Sequence, residues 1–507
     1  MTIKSPIRRA VVAGAAGLAL GLLMAGSLAV AQTGKIRVAQ SVDVLTLDPT
    51  QNTAAFSINA YQNIFGHLTL INADGSVSPN IAESWQIEKN ATVWTFKIRS
   101  GMKFHNGDPV TAEDVRWTFQ HIFDSAKSPV KRYFKAVNSV ELVGNDSVRF
   151  TTKTPFATFN RQVSLVSIVS KKAYTGMGAE KFALQPVGSG PFKVKKWVKD
   201  GYLELEAFDD YWEGVPKLKT LIFRPMPSEA SRAAALASGE IDVVPVLPPP
   251  LVDSLSKQPG INVQKVASNR VIFLAYNQNN KPLDSVKLRT AMLHAIDRKT
   301  ITEKLLRGLG IPIGQLAPPV TFGHDPSLGV PKFDPEMARK LVKESGYDGS
   351  PILFQYPNNR WAFADQTAQA LVGYLGEVGI KTELQSMEMA ALFPLWVGDK
   401  IQGMYLFSMG ISILDADLLL NLEYESGTSH AYWHTDEVDR LAKEQRALSD
   451  LNKRKEILAK IWRIDRENAV FNPLYNEIHA YGVRDCVTWT PRPDERLQFK
   501  DASSTCK

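Results

Sequence analysis

One stretch of the sequence, from Trp94 to Val115, reads WTFKIRSGMKFHNGDPVTAEDV. It opens with β-branched and aromatic residues, which predict a strand. Asn106-Gly107-Asp108 then predicts a tight turn, because glycine tolerates a left-handed backbone at little cost. Thr111, with Asp114 three residues later, is typical of a helix start at which the two side chains cap the first turn. A strand, a turn and a capped helix in one short stretch indicate a chain that mixes both kinds of element.

The same mixture continues in both directions. Asp334-Pro335 predicts a helix start, and Gly346 predicts its end. A helix over 363–375 is followed by a strand over 380–384, and a strand over 404–407 leads into a loop over 408–414. Helices and strands that alternate along the chain favour α/β layers over an all-α or all-β protein.

Length and composition narrow the class of protein. The chain has 507 residues, well beyond the roughly 250–300 residues at which a single core stops growing, so more than one domain is expected. Hydrophobic residues make up 44% and charged residues 22%, which excludes a disordered or a multi-span membrane protein. Two cysteines exclude a cysteine-rich metal site. The net charge of +7 includes Lys4, Arg8 and Arg9, and so small a surplus predicts no nucleic-acid partner.

The first 31 residues have the pattern of a signal peptide. Three cations precede an uncharged run of small and apolar residues, which closes with Ala29-Val30-Ala31, a sequence that signal peptidase can cut. A permanent membrane anchor is the alternative, because the uncharged run is long enough to span a bilayer. The small-residue composition and the cleavage site favour export to the periplasm, by the general or the twin-arginine route. In that oxidising compartment, Cys486 and Cys506 can pair or can stay as two thiols, and the sequence leaves both open.

Motifs for catalysis and metal binding are absent from the sequence. It contains no G-x-S-x-G elbow, no phosphate-binding P-loop, no G-x-G-x-x-G and no H-E-x-x-H. His430 and His434 have the spacing of two metal ligands on one helical turn, but they precede a predicted helix cap at Thr435, which favours a loop. We therefore expect no enzyme activity, no cofactor and no metal centre.

Several motifs together resemble the family 5 extracellular solute-binding proteins of ABC transporters, the peptide- and nickel-binding group. The stretch from Trp94 to Val115 is the most specific of them. The match covers most of 36–500 through these further motifs: Leu47-Asp48-Pro49, NIAESW at 80–85, PVGSGPF at 186–192, YWEG at 211–214, SGEID at 238–242, AMLHAIDR at 291–298, VGIK at 378–381 and DAD at 415–417.

The resemblance implies an α/β fold of the type II-like periplasmic binding proteins. Two lobes close on a ligand, a pair of crossing strands forms the hinge, and an extra domain is inserted in the first lobe. We expect the strands to cross near 271–277 and 471–475. The expected divisions are a signal peptide over 1–31, lobe I over 32–70 with 189–272 and 477–507, an inserted domain over 71–188, and lobe II over 273–476.

The resemblance implies a protein that binds a solute and catalyses no reaction. A periplasmic, monomeric protein would bind a peptide or peptide-like solute between its lobes and deliver it to the permease subunits of an ABC transporter. A nickel or metal-chelate carrier of the same fold is the alternative, and a periplasmic hydrolase is a third reading that lacks a nucleophile motif.

Arg360 is the expected partner of a ligand carboxylate, because an arginine in this loop has that role in the resembling proteins. Dipeptide binders also carry an aspartate in the loop before the DAD motif, and here the loop over 408–414 has no acid until Asp415. That difference favours a solute with an anionic group and an apolar body. The remaining expected ligand contacts are Trp361, Tyr276, Asn277, Tyr405, Met409, Ile411, Asp415 and Trp433.

The cleavage site gives a direct prediction. The protein recovered from the periplasm should begin at Gln32, because signal peptidase requires the small residues Ala29 and Ala31 before the cut. N-terminal sequencing of the periplasmic fraction measures this. A full-length, membrane-bound product would instead support the anchor.

Overall fold

The computed structural model describes residues 33–358, 361, 363–428 and 432–506. The predicted signal peptide, Arg360 and His430 lie outside the described residues. Within them, the strands are β1 (Thr33–Gln40), β2 (Thr69–Ile71), β3 (Val77–Pro79), β4 (Ala82–Glu88), β5 (Val93–Ile98), β6 (Val137–Val143), β7 (Ser147–Thr152), β8 (Phe192–Val198), β9 (Tyr202–Ala207), β10 (Leu218–Pro225), β11 (Val243–Val244), β12 (Ile261–Tyr276), β13 (Gly310–Pro312), β14 (Ile352–Pro357), β15 (Thr382–Met387), β16 (Met404–Gly410), β17 (Phe471–Arg484), β18 (Val487–Thr488) and β19 (Ser503–Ser504).

Helices alternate with these strands along the whole chain. They are α1 (Ala55–Ile64), α2 (Ala112–Asp124), α3 (Phe159–Gln162), α4 (Lys171–Met177), α5 (Ala179–Phe182), α6 (Glu229–Ser238), α7 (Pro249–Leu255), α8 (Val286–Ala295), α9 (Arg298–Thr300), α10 (Pro335–Glu344), α11 (Ala364–Glu377), α12 (Met389–Val397), α13 (Ala416–Glu423), α14 (Asp436–Arg446) and α15 (Leu451–Asn468), with 3-10 turns at Pro129–Phe134 and Val163–Leu165 and a π turn at Ile301–Leu305. In the part of the chain described, no helix is both long and apolar enough to cross a membrane.

The predicted strand, turn and capped helix around Gly107 are confirmed. Strand β5 is followed by a turn in which Gly107 has φ +86°. The Thr111 hydroxyl accepts from the Asp114 amide at 3.3 Å, and the Asp114 carboxylate accepts from the Thr111 amide at 3.0 Å. The cap therefore satisfies backbone donors that the first turn of α2 leaves without a partner.

One large sheet organises the chain. Its eleven strands, all from the described residues, have the order β15-β14-β16-β12-β17-β11-β1-β10-β9-β8, and β13 pairs with β17 off this path. A separate four-stranded sheet, β4-β5-β7-β6, lies within the segment predicted to be an inserted domain. It has its own apolar core, which includes Trp94, Phe96, Phe119 and Phe150.

Strands β12 and β17 pass through both halves of the large sheet. They pair antiparallel, and their register shifts between Ala267 and Val271. We call the part with β8–β11 and β1 the first half, and the part with β13–β16 the second half. The β-bulge at 268–270 marks the boundary between them. The predicted crossing at 271–277 is therefore placed too late, because those residues already pair with β16 inside the second half.

Each half of the sheet packs its own hydrophobic residues. Ile36, Leu205 and Phe223 belong to the core of the first half, while Phe273 and Leu274 belong to two cores on opposite faces of the second. A sheet buried on both faces explains the nearly continuous apolar run at the end of β12. The domain limits given above stay a prediction.

Cys486 and Cys506 form a disulfide, with their Cα atoms 5.1 Å apart. The bond joins the segment after β17 to the C-terminal segment, beside the short ladder between β18 and β19. The alternative that the sequence left open is thereby decided in favour of pairing.

Substituting Cys486→Ser should lower the free energy of unfolding by up to ~3 kcal/mol, because the bond closes a short loop in the unfolded chain. Urea unfolding of the variant and the wild type measures this. The wild type in dithiothreitol is the control and should lose the same stability. An unchanged denaturation midpoint in both would contradict the prediction.

Candidate functional site

The parallel strands of both halves run towards the bulge. In the first half, β1 runs parallel to β10 and β11, and β11 runs antiparallel to β17. In the second half, β14 runs parallel to β15 and β16, and β16 runs antiparallel to β12. Both sets of carboxyl ends therefore point towards the crossing. In open α/β sheets, ligands bind outside the carboxyl ends of such strands, so the region over the bulge, which we call the cleft, is the candidate site.

Side-chain amides hold the bulge in place. The Asn476 side chain donates to the carbonyl oxygens of Ser268 and Arg270, both at 2.8 Å. The Asn269 side chain donates to the Ile411 carbonyl at 3.1 Å, which fixes the loop after β16. The Asn269 amide donates to the Pro493 carbonyl at 2.8 Å. The bulge thus binds both the second half and the C-terminal segment.

A partly buried ionic cluster surrounds the same point. The Arg270 guanidinium donates two hydrogen bonds to Glu495, at 2.9 and 3.1 Å, and one to the Ser408 hydroxyl at 3.3 Å. Glu477 lies 3.9 Å from Arg270 and 3.0 Å from the Nε2 atom of His479. Burial by itself lowers the pKa of His479, but the Glu477 carboxylate outweighs this, so the pKa lies above its ordinary value.

A second set of contacts joins the helix α3 region to the second half. The Thr158 hydroxyl donates to Asp417 at 3.0 Å, and the Ala157 amide donates to the Arg446 carbonyl at 2.8 Å. The Arg161 guanidinium lies 3.5 Å from the Asp415 carboxylate and donates to the Ile413 carbonyl at 3.2 Å. The second half is therefore in contact with the segment that contains α3 as well as with the bulge.

Comparison with known proteins identifies the family. The sequence profile of bacterial extracellular solute-binding proteins, family 5 Middle, matches residues 76–430. The chain belongs to this family. The predicted α/β fold of a type II-like binding protein is confirmed, because the structure of the substrate-binding protein CtaP from Listeria monocytogenes superimposes with a TM-score of 0.84 at 25% identity, over 94% of this chain and 100% of that one.

Two curated relatives extend over most of the chain. The dipeptide-binding protein of Escherichia coli (strain K12) is 26% identical over 460 residues, which cover 80% of this chain and 84% of the relative. The glutathione-binding protein GsiB of Escherichia coli (strain K12) is 26% identical over 507 residues, which cover 96% of this chain and 98% of the relative. These relatives are binding proteins, so the expectation that this family member is not an enzyme is confirmed.

Three of the residues predicted to contact the ligand lie away from the bulge. Tyr276 ends β12, about 20 Å along the strand from Arg270, and its buried hydroxyl accepts from Asn472 at 3.2 Å. Asn277 is buried beside it and donates to the Ile401 carbonyl at 2.5 Å. Tyr405 is 1% exposed and packs in an apolar core. In this structure the three side chains stabilise the second half.

Four other predicted residues lie on or after β16. Met409 is close to the bulge, where it pairs with Val271, and Ile411 receives the hydrogen bond from Asn269. Asp415 is fully buried, and it caps α13 by accepting from the Asp417 amide at 3.0 Å. Trp433 packs half-buried against the core of the second half.

The Asp415 carboxylate forms ion pairs with two arginines. Arg454 donates to its two carboxylate oxygens at 2.8 and 3.1 Å, and Arg161 lies on its other side. Burial raises the pKa of the Asp415 carboxyl, but the charges of Arg454 and Arg161 lower it by more, so the pKa lies below its ordinary value. The carboxylate is therefore a structural counter-ion.

Sequence reasoning missed the residues that meet at the bulge. Arg270 and Glu495 are 225 residues apart, and Asn269 and Ile411 are 142 apart. Each of them reads as an ordinary polar or apolar residue in its own segment. Residues 268–270 of β12 are polar, precede its apolar run and have no partner on β17. This polar interruption is the signal that could have indicated the bulge.

Substituting Arg454→Met should lower the free energy of unfolding by ~3–5 kcal/mol, because it leaves the Asp415 carboxylate buried with only the more distant Arg161. The pair stabilises the fold above about pH 4, where the unfolded carboxyl is ionised, and this stability is lost as the pH falls through the lower folded-state pKa. Urea unfolding at pH 7 and pH 3 measures both effects, and the gap between variant and wild type should narrow at pH 3.

The matched control is Arg440→Met, because Arg440 pairs with Glu444 on the exposed face of α14. That variant should be nearly as stable as the wild type. Equal losses of unfolding free energy in the two variants would show that the buried Asp415 pair stabilises the fold no more than an exposed ion pair does.

Proposed function

We propose that this chain is the periplasmic solute-binding component of an ABC importer, which captures a peptide or peptide-like solute and delivers it to the membrane permease. The observation that carries the proposal is that the parallel strands of the two halves point their carboxyl ends towards each other across the bulge. Such an arrangement places a solute in contact with both halves only when they are closed. The named ligands of the two curated relatives, a dipeptide and glutathione, support a peptide as the class of solute.

The cleft does not offer the loop aspartate expected of a simple dipeptide binder. The segment from Ile411 to Leu414 carries no acid, and Asp415 is fully buried between Arg454 and Arg161. An ammonium group would therefore find no carboxylate in this loop. With Arg360, which follows β14 in the sequence and is outside the described residues, the chain favours a solute that presents a carboxylate and an apolar body.

The nickel or metal-chelate alternative stays a prediction from the sequence. Within the described residues, no group of three or more His, Cys, Asp and Glu side chains is arranged to hold a metal ion. The experiment below includes nickel for that reason.

Native mass spectrometry of the mature protein, followed by calorimetric titration with a dipeptide, glutathione and nickel chloride, tests the function. We expect a peptide to bind and nickel alone not to bind. Arg360→Ala should weaken peptide binding by ~2–5 kcal/mol, because it removes one member of a desolvated charge pair. Arg360→Lys should recover only part, since an ammonium cannot reproduce the two parallel hydrogen bonds.

Thermal melts without ligand are the control for both variants and should match the wild type. Binding of nickel in place of peptides would favour the metal carrier. Unchanged peptide affinity in Arg360→Ala would remove this arginine from the site.

A further inference from the structure

Two carboxylates at the bulge share one arginine and one histidine. Arg270 donates two hydrogen bonds to Glu495, at 2.9 and 3.1 Å, and lies 3.9 Å from Glu477. Among the basic side chains of the described residues, His479 is the nearest to Glu477, with its Nε2 atom 3.0 Å away. Glu477 is 9% exposed and His479 is 4% exposed, so salt and water screen this pair only weakly. We call these four residues the hinge cluster.

The histidine and its carboxylate lie on either side of the boundary between the halves. Both belong to β17, where His479 pairs with Val266 of β12, before the register shift. Glu477 pairs with Gly310 of β13, which belongs to the second half. The contact between the two side chains therefore spans the place where the strand pair is interrupted.

The arginine of the hinge cluster joins the same two halves. Besides its bonds to Glu495, Arg270 donates to the Ser408 hydroxyl on β16, in the second half, at 3.3 Å. Glu495 lies in the C-terminal segment, which packs into the core of the first half through Leu497. A change in the partners of Arg270 therefore changes a contact between the halves.

The charge of His479 can change without the loss of a hydrogen bond. Its Nε2 atom can donate to Glu477 in both states of the ring, and Nδ1 has no hydrogen-bond partner in the described part of the chain. Protonation at Nδ1 turns a neutral donor into a charged one, and charge-assisted hydrogen bonds are roughly twice as strong. Burial lowers the pKa of His479, but Glu477 raises it by more, so the pKa lies above the ordinary value of 6.5.

The remaining charged and titratable groups beside the hinge cluster come from the C-terminal segment and from β17. Asp494 binds Arg492 at 2.6 Å and lies 3.7 Å from Arg496. Tyr481 lies on the same face of β17 as His479, and burial raises its pKa above the ordinary value, so it stays neutral. His479 is therefore the group of this region whose charge changes between pH 6 and pH 9.

We propose that the hinge cluster makes the opening of the two halves depend on pH, with the protonated His479 favouring the arrangement of the halves in this structure. A protonated His479 holds Glu477. Arg270 is then left to Glu495 and Ser408. When His479 loses its proton, Glu477 competes for Arg270, and the contact between the halves is weakened. The inference requires the halves to move about the bulge, as the proposed function also does, but it requires no particular solute.

Urea unfolding at pH 6 and pH 9 gives the first test, with His479→Gln as the variant. Glutamine keeps an N–H donor for Glu477 but cannot become charged. Because the folded-state pKa of His479 is raised, its contribution to stability is present below the unfolded value of 6.5 and is lost as the pH rises through the folded value. The folding equilibrium constant of the wild type relative to the variant should fall about three- to ten-fold, as expected when a charge-assisted hydrogen bond becomes neutral. An equal ratio at both pH values would overturn the proposal.

Small-angle scattering of the ligand-free mature protein gives the second test. The radius of gyration of the wild type should increase from pH 6 to pH 9, because the contact that joins the halves is weakened. His479→Gln and Glu477→Gln should each keep one radius at both pH values, since each lacks one member of the pair. A constant radius in the wild type, or the same increase in His479→Gln, would overturn the proposal.

His105→Gln is the matched control for the scattering experiment. His105 lies outside the hinge cluster, with its Nε2 atom 3.1 Å from the Gly190 carbonyl oxygen. Burial lowers its pKa to about 4, so its charge does not change between pH 6 and pH 9. This variant should therefore keep the response of the wild type, and loss of the response would show that His479 is not its source.

The two proposals fail in different ways. If the radius responds to pH through His479 but no peptide binds in the titrations, the peptide function is wrong and the pH-dependent hinge stands. If peptides bind but the radius is independent of pH, the function stands and the pH-dependent hinge is wrong.

Discussion

The backbone pairing of β12 with β17, interrupted by the bulge at 268–270, is the constraint on which the rest of the structure depends. Because both strands run through the two halves, one hydrogen-bond ladder connects two separately packed regions. The bulge is the larger of the two register shifts on this pair, and bulges bend and twist a strand locally. A few residues therefore set the orientation of the two halves, which is what a hinge requires.

This crossing also explains where the site lies. The pairing of the parallel strands with β12 and β17 points the carboxyl ends of both sets towards the crossing. The segment after β16 and the segment around Glu495 reach the crossing for that reason. Polar groups that would be exposed at the edge of an isolated half are instead gathered around a cleft, where a solute can pair with them.

Charge burial differs between the bulge and the contact that α3 makes with the second half. At the bulge, Arg270 is shared between Glu495 and Glu477, and His479 adds a group whose charge depends on pH. At the α3 contact, Arg161 approaches a carboxylate that Arg454 already binds. Buried charges are tolerated when they are paired, and removal of one partner is costly. Loss of the Arg161 contact would therefore leave the Asp415 carboxylate paired with Arg454.

The amino-acid sequence alone fixed the features that depend on near neighbours. Thr111 caps the helix that contains Asp114, Gly107 supplies the turn, and the fold class and family follow from motifs of this kind. Such interactions span three or four residues, so their chemistry is visible in the order of the side chains.

Only the tertiary structure decided how far each predicted residue lies from the bulge. Tyr276 and Tyr405 looked like ligand contacts, yet strand length carries Tyr276 about 20 Å from the bulge and packing buries Tyr405 in a core. Arg270 met Glu495 across 225 residues of sequence. The register of long-range strand pairs sets these contacts, and register depends on the packing of the whole sheet, which no local pattern encodes.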